Sequence, residues 1–133
     1  MYLFDTDIIT NVFKKKPSKT LLQRLGAIPR SRQFISTITI SEIVYGAEKS
    51  SRPAYHLKNL EEILLPAVNI IGFDGKAAYV CGKLRAYLEK KGMPLDFADL
   101  QIAAIAIANG FILVTGNTRH FARIQELKVE NWL

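Results

Sequence analysis

The stretch from Asp96 to Thr115 restricts the available folds more than any other part of the chain. A helix over Asp96 to Asn109 would carry Phe97, Leu100, Ile102, Ala103, Ile105, Ala106 and Ile107 on nearly every side, so it belongs inside a core. Gly110 stops it. Phe111 to Thr115 then runs apolar without a break, as strands do when a parallel sheet is covered on both faces. Upstream the same alternation recurs. Tyr2 to Phe4 reads as a strand, and Ile8, Ile9, Val12 and Phe13 follow at helical spacing, with Thr6 or Asp7 as the expected cap. Pro17 and Ser18 open a second helix that Gly26 and Pro29 close. Strand-like Gln33 to Ile38 leads into Ile40, Ile43, Val44 and Ala47 at helical period, and Pro53 starts a helix reaching Pro66. Val68 to Gly72 forms a third strand, and Asp74 caps a helix through Lys91 that Gly92 ends. Strands alternating with helices predict an α/β fold: a three-layer sandwich with a mostly parallel central sheet flanked by helices.

The 133 residues, 49 % apolar and 23 % charged, suit one domain over 1–133, with neither a linker nor an internal repeat. The single cysteine, Cys81, excludes an intramolecular disulfide or a thiolate metal cluster and points to a reducing compartment. The longest unbroken apolar run, Ile102 to Ala108, is too short to cross a bilayer. No secretory signal precedes Asp5, so the expectation is a cytoplasmic protein. The net charge of +6 makes a polyanion a plausible partner.

In a parallel sheet Asp5 and Asn117 leave the ends of their strands at one edge, where α/β proteins bind ligands. Glu42 falls in the first turn of the helix after the second strand. Asp96 and Asp99, three apart, share a face at the start of the buried helix. Carboxylates brought close resist ionising unless a cation neutralises them. Oxygen donors without thiolates select hard ions, Mg²⁺ or Mn²⁺, whose chemistry is that of phosphates. Each acid also has a structural reading. Thr39-Ile40-Ser41-Glu42 fits a capping box, Asp96 an N-cap and Asp99 an N3 residue favoured by the helix dipole.

Four segments carry a resemblance: Leu3-Phe4-Asp5-Thr6, Ile38 to Gly46, Pro94 to Ala104, and Leu113 to Phe121, with Glu130-Asn131-Trp132 closing the pattern. In that order and at those separations the chain resembles a PIN-domain protein of the VapC type, the toxin half of a type II toxin-antitoxin pair. The resemblance implies a Mg²⁺- or Mn²⁺-dependent endoribonuclease with a catalytic set of Asp5, Glu42 and Asp99, joined here by Asp96. Asp5, Asp99 and Asn117 would be the metal ligands, with Thr6, Asp7 and Thr115 in support. Family members usually carry Asn where Asp7 stands, and the fourth acidic position is here the neutral Asn117; Asp7 or Asp96 would restore the charge, and one-metal and two-metal sites both stay open. The resemblance further implies a VapB-like antitoxin, a homodimer and an RNA substrate, whether tRNA, ribosomal RNA or mRNA.

Seven basic residues and no acid lie between Lys14 and Gln33. Lys14, Lys15 and Lys16 head that run, and with Arg85 and Arg119 they are the expected RNA contacts. Tyr45 and Phe121 read as core residues, and His120 as a packing or substrate contact behind the Asn117 loop. Apolar Val12, Phe13, Leu21 and Leu22 exceed what a small core covers, which suits a protein partner. Two other functions compete. Asp5-Thr6-Asp7 resembles the start of haloacid-dehalogenase-type phosphatases, in which Asp5 would be phosphorylated, and a non-catalytic RNA- or protein-binding module would use the acids only as caps.

Overall fold

The computed structural model describes residues 1–133. Five strands, β1 (Tyr2–Phe4), β2 (Gln33–Ser36), β3 (Asn69–Ile71), β4 (Ile112–Val114) and β5 (Val129–Glu130), form one sheet in the order β3-β2-β1-β4-β5. Every pairing is parallel. From β1 the chain steps outward to β2 and β3 on one side, then returns to place β4 and β5 on the other. The order therefore reverses between β1 and β4, and loops leaving those two strands diverge to open a crevice at their carboxyl ends.

Strand periodicity sorts the core into two layers. Leu3 and Leu113 face a cluster built by α6 (Gly75–Lys90) and α7 (Phe97–Asn109). Their neighbours Phe4 and Val114 face an opposite cluster with Ile8 and Ile9 of α1 (Thr6–Val12), Leu21 of α2 (Lys19–Ala27) and Trp132. Within α7 the residues Ile102 to Ala106 are all buried, the central position its all-round apolarity predicts. Gly110 follows in the left-handed conformation, φ 67°, which a glycine adopts without a Cβ clash.

Several boundaries differ from expectation. Asp5 itself, not Thr6 or Asp7, caps α1, because its carboxylate accepts from the Thr6 N–H. β2 ends at Ser36, whose hydroxyl accepts from Thr39 N and starts α3 (Thr37–Lys49) two residues before the expected strand end. Thr39 is therefore inside the helix, no capping box forms at Thr39-Glu42, and Glu42 stands in the second turn rather than the first. Pro66 does not terminate the helix from Pro53: α4 (Pro53–Asn59) passes through a π-helical turn, Leu60–Leu64, into α5 (Leu65–Ala67). The C-terminal region adds α8 (Thr118–Phe121) and the two-residue β5, neither of which has a periodic signal of its own.

Tyr45 is 64 % exposed and is no core residue, whereas Phe121 is fully buried. Trp132 anchors the C-terminus. Its ring packs on Tyr2 and Phe4 at centroid distances of 5.0 and 5.5 Å, the Arg24 guanidinium lies 4.8 Å from its ring centre, and its Nε1–H donates to Glu130 at 2.9 Å. No helix is long and apolar enough to cross a membrane.

Candidate active site

Asp5 stands where β1 meets α1, at the reversal of strand order, and is only 4 % exposed. One carboxylate oxygen accepts from Thr6 N at 2.8 Å and the other from the Thr115 hydroxyl at 2.8 Å, which ties the end of β1 to the end of β4. Burial pushes the carboxyl up from 3.8 to about 6; the charges of Asp7 and Asp99 add to the rise, and the hydrogen bonds from Thr115 and Thr6 oppose it.

Thr115 Oγ1 also accepts from Asn117 N at 3.0 Å, and the neighbouring Gly116 N donates to Asp7 Oδ2 at 2.9 Å. Gly116 is needed for room: a Cβ there would lie 2.7 Å from Asp7 Oδ2 and 2.8 Å from Leu133 Cδ1. Asp7 thus latches the loop that presents Asn117. Its second oxygen, Oδ1, is buried without a hydrogen-bond partner, and burial raises its pKa.

Glu42 reaches the same edge from α3 and accepts the Thr6 hydroxyl proton at 2.6 Å. Asp99, half-buried in the first turn of α7, has its pKa raised first by burial and then by the charges of Asp96 and Glu42; His120, with Nδ1 3.8 Å from Asp99 Oδ2, opposes the rise. Asp96 precedes α7 but makes no side-chain cap, so its exposed carboxylate is free. The five acids therefore act on one another electrostatically at one edge of the sheet. As the side chains stand, no three of them form a ready-made metal cage.

The basic residues divide differently. Lys14, Lys15 and Lys16 are exposed beyond the far end of α1 from Asp5, while Arg119 is exposed on α8, beside Asn117 and His120. Arg85 is engaged with Glu89 at 3.0 Å and lies 5.4 Å from the Phe97 ring centre. Of the Lys14–Arg32 run, Arg24 pairs with Glu130 at 3.5 Å, Arg30 binds the carbonyls of Pro66 and Val68, and Arg32 covers Tyr2. Those three arginines brace the fold. An apolar groove lined by Ile9, Phe13, Ile43, Leu60 and Leu64 opens beside the site, with Thr6 and Glu42 also on its wall.

Residues 2–127 match the family described as PIN domain. The chain belongs to the PIN-domain family. Within that family it resembles VapC proteins over its whole length. It is 34 % identical over 131 residues, covering 98 % of this chain and 97 % of the relative, to the tRNA(fMet)-specific endonuclease VapC of Shigella flexneri. It is 36 % identical to ribonuclease VapC2 of Haemophilus influenzae over 132 residues, covering 99 % of this chain and 98 % of that one. Its fold overlays the crystal structure of VapBC2 from Rickettsia felis bound to a promoter DNA fragment with a TM-score of 0.91, at 34 % identity, covering 99 % of this chain and 98 % of that one. This PIN-domain chain is of the VapC ribonuclease type, and the phosphatase alternative is not favoured.

Two buried polar residues beside these acids were not expected there: Ser36 had no assigned role, and Thr39 was read only as part of a capping box. Ser36 and Thr39 are both fully buried; the Ser36 hydroxyl meets that of Thr39, which meets that of Thr6, and Thr6 in turn holds Glu42. Their signal was present as Ser, Thr and Glu at three-residue steps, but the wrong helix start hid it.

Proposed function

We propose that residues 1–133 act as a single-domain, divalent-metal-dependent endoribonuclease, the toxin of a toxin-antitoxin pair, hydrolysing phosphodiester bonds in RNA. The observation that carries this reading is the meeting of Asp5, Glu42 and Asp99 at the β1/β4 crevice of a PIN fold. The site suits a hard cation held by few protein oxygens and several waters, such as Mg²⁺ or Mn²⁺. Its carboxylates resist ionising in the bare protein through burial and mutual repulsion, which is the strain a cation relieves. Asp5 and Asp99 would hold the ion, and Asn117, whose backbone N–H is tied to the Asp5 partner Thr115, would offer its side-chain carbonyl as a third oxygen. When bound, such an ion supplies Lewis-acid stabilisation of the charge that builds on a phosphodiester.

This chain's own residues do the rest. Thr6 N and Thr115 fix both oxygens of Asp5, so its lone pairs point in set directions. Asp7 and Gly116 hold the Asn117 loop against β1. Glu42, steadied by Thr6, orients the attacking water and accepts its proton. Asp96 adds negative charge at the rim, and Arg119 and the Lys14–Lys16 cluster attract the RNA backbone. Transfer RNA is the first substrate class to examine, since the Shigella relative is named for one.

We assign a VapB-like antitoxin to the apolar groove beside Glu42: Thr6 and Glu42 share its wall with Ile9, Phe13, Ile43, Leu60 and Leu64, so a chain seated there would also cover the site. Self-association into a homodimer completes the proposal. The test is cleavage mapping on total cellular RNA with Mg²⁺ or Mn²⁺, comparing the parent with Asp5→Ala and Asp99→Ala. Chelator-sensitive cutting by the parent and none by either folded variant is expected. Cutting that survives both substitutions, or RNA binding without turnover, overturns the reading in favour of a metal-free site or a binding module.

A further inference from the structure

We propose that Thr39 is a positioning residue for Glu42, acting through a one-way chain of hydroxyl hydrogen bonds; the proposal rests on the nuclease reading for its kinetic consequence. Glu42 as a carboxylate can only accept, so the single Thr6 hydroxyl proton goes to it, over 2.6 Å. Thr39 Oγ1 lies 3.2 Å from Thr6 Oγ1, and with the Thr6 proton already committed, Thr39 must be the donor in that pair. Ser36 Oγ, 3.4 Å from Thr39 Oγ1, donates in turn to Thr39. Every proton in the series points outward, from two fully buried side chains to the exposed Glu42.

The cap of α3 does not explain the Thr39 hydroxyl. Capping uses the Thr39 backbone N–H, which donates to Ser36 Oγ at 3.1 Å, and a valine would supply that N–H equally well. Nor does the Thr39 hydroxyl bond back to the preceding helical turn; its side-chain partners are Thr6 and Ser36. A buried hydroxyl is unfavourable unless hydrogen-bonded, so at a fully buried site valine would be the simpler residue for packing alone. What the hydroxyl adds is polarisation and orientation of Thr6, and through Thr6 a fixed place for the Glu42 carboxylate.

The test is Thr39→Val, with Thr39→Ser as the conservative control and both repeated in Glu42→Gln, using Mg²⁺-dependent cleavage of a single RNA that the parent cuts. Thr39→Val is expected to lower kcat about two- to tenfold with KM unchanged, the scale of one hydrogen bond lost. Thr39→Ser should restore kcat, and Thr39→Val should have no further effect in Glu42→Gln. Parental kcat in Thr39→Val, or an equal loss in the Glu42→Gln background, overturns the proposal. A crystal structure of Thr39→Val provides an arm independent of activity. There the Glu42 carboxylate should have left Thr6 Oγ1, and an unchanged pair overturns the assignment. If the parent cuts no RNA, the nuclease reading fails, while this second arm still decides whether Thr39 positions Glu42.

Discussion

Replacing Asp5 by Asn removes the most strongly buried charge at the site, and the structure supplies the size of the effect. The carboxyl rises from 3.8 to about 6 on folding, chiefly because it is buried. Holding it ionised in the metal-free fold therefore costs about 3 kcal/mol at pH 8, at 1.36 kcal/mol per unit. The sign follows from proton binding. A folded-state pKa above the unfolded one means that the native state binds more protons, so stability falls as pH rises from about 4 to about 6. The penalty is complete above that range and absent below it. Asparagine keeps an oxygen for Thr6 N but turns an amide toward Thr115 Oγ1, which already accepts from Asn117 N. That mismatch costs about 1 kcal/mol. The net gain for Asp5→Asn is about 2 kcal/mol at pH 8, or roughly 6–10 °C in Tm for a chain of this length. Thermal unfolding of both proteins in EDTA at pH 8 and pH 4 measures it. The variant should melt higher at pH 8, lose its advantage by pH 4 and cleave no RNA. A difference that does not change with pH, or a less stable variant at pH 8, refutes the claim that burial of this charge strains the site.

Gly116→Ala places a methyl group 2.7 Å from Asp7 Oδ2 and 2.8 Å from Leu133 Cδ1, both side-chain atoms, of which the first is held by a hydrogen bond. A loss of about 1–3 kcal/mol in urea unfolding is expected, together with weakened cleavage, because the loop that carries Asn117 must shift. Trp132→Ala empties a fully buried site packed by Tyr2, Phe4 and Arg24. Its urea midpoint should fall by the equivalent of about 3–5 kcal/mol, with no change in m if the transition stays two-state.

Local pattern sufficed for the elements that have strong periodicity and punctuation. The all-round apolar α7, its Gly110 stop, the Asp74 cap and the short apolar strands follow from side-chain spacing, because burying those faces leaves few arrangements. The acids were legible as candidates for the same reason: Asp5 ends an apolar strand, and Asp96 and Asp99 share one helical face. Where two local readings competed, the pattern chose badly. Thr37 and Ile38 are β-branched and read as strand, yet Ser36 captures the Thr39 N–H and turns the chain into helix two residues earlier. β5 has only two residues and no periodicity to detect; it forms because β4 offers an unpaired edge and Trp132 pins the segment that follows.

Sequence alone determined most of the helices and strands and which residue types stand at strand ends, since hydrophobic period and capping act within a few residues of chain; it did not settle every burial, for Tyr45 and Phe97 are exposed and Leu21 is fully buried. Only the tertiary structure decided what those residues touch. Asp7 faces Gly116 N from 109 residues away, Thr115 donates to Asp5 across 110, and Thr39 meets Thr6 across 33. A hydrogen bond depends on placement to within fractions of an ångström, and that placement is set by the packing of whole strands and helices rather than by any neighbour in the chain.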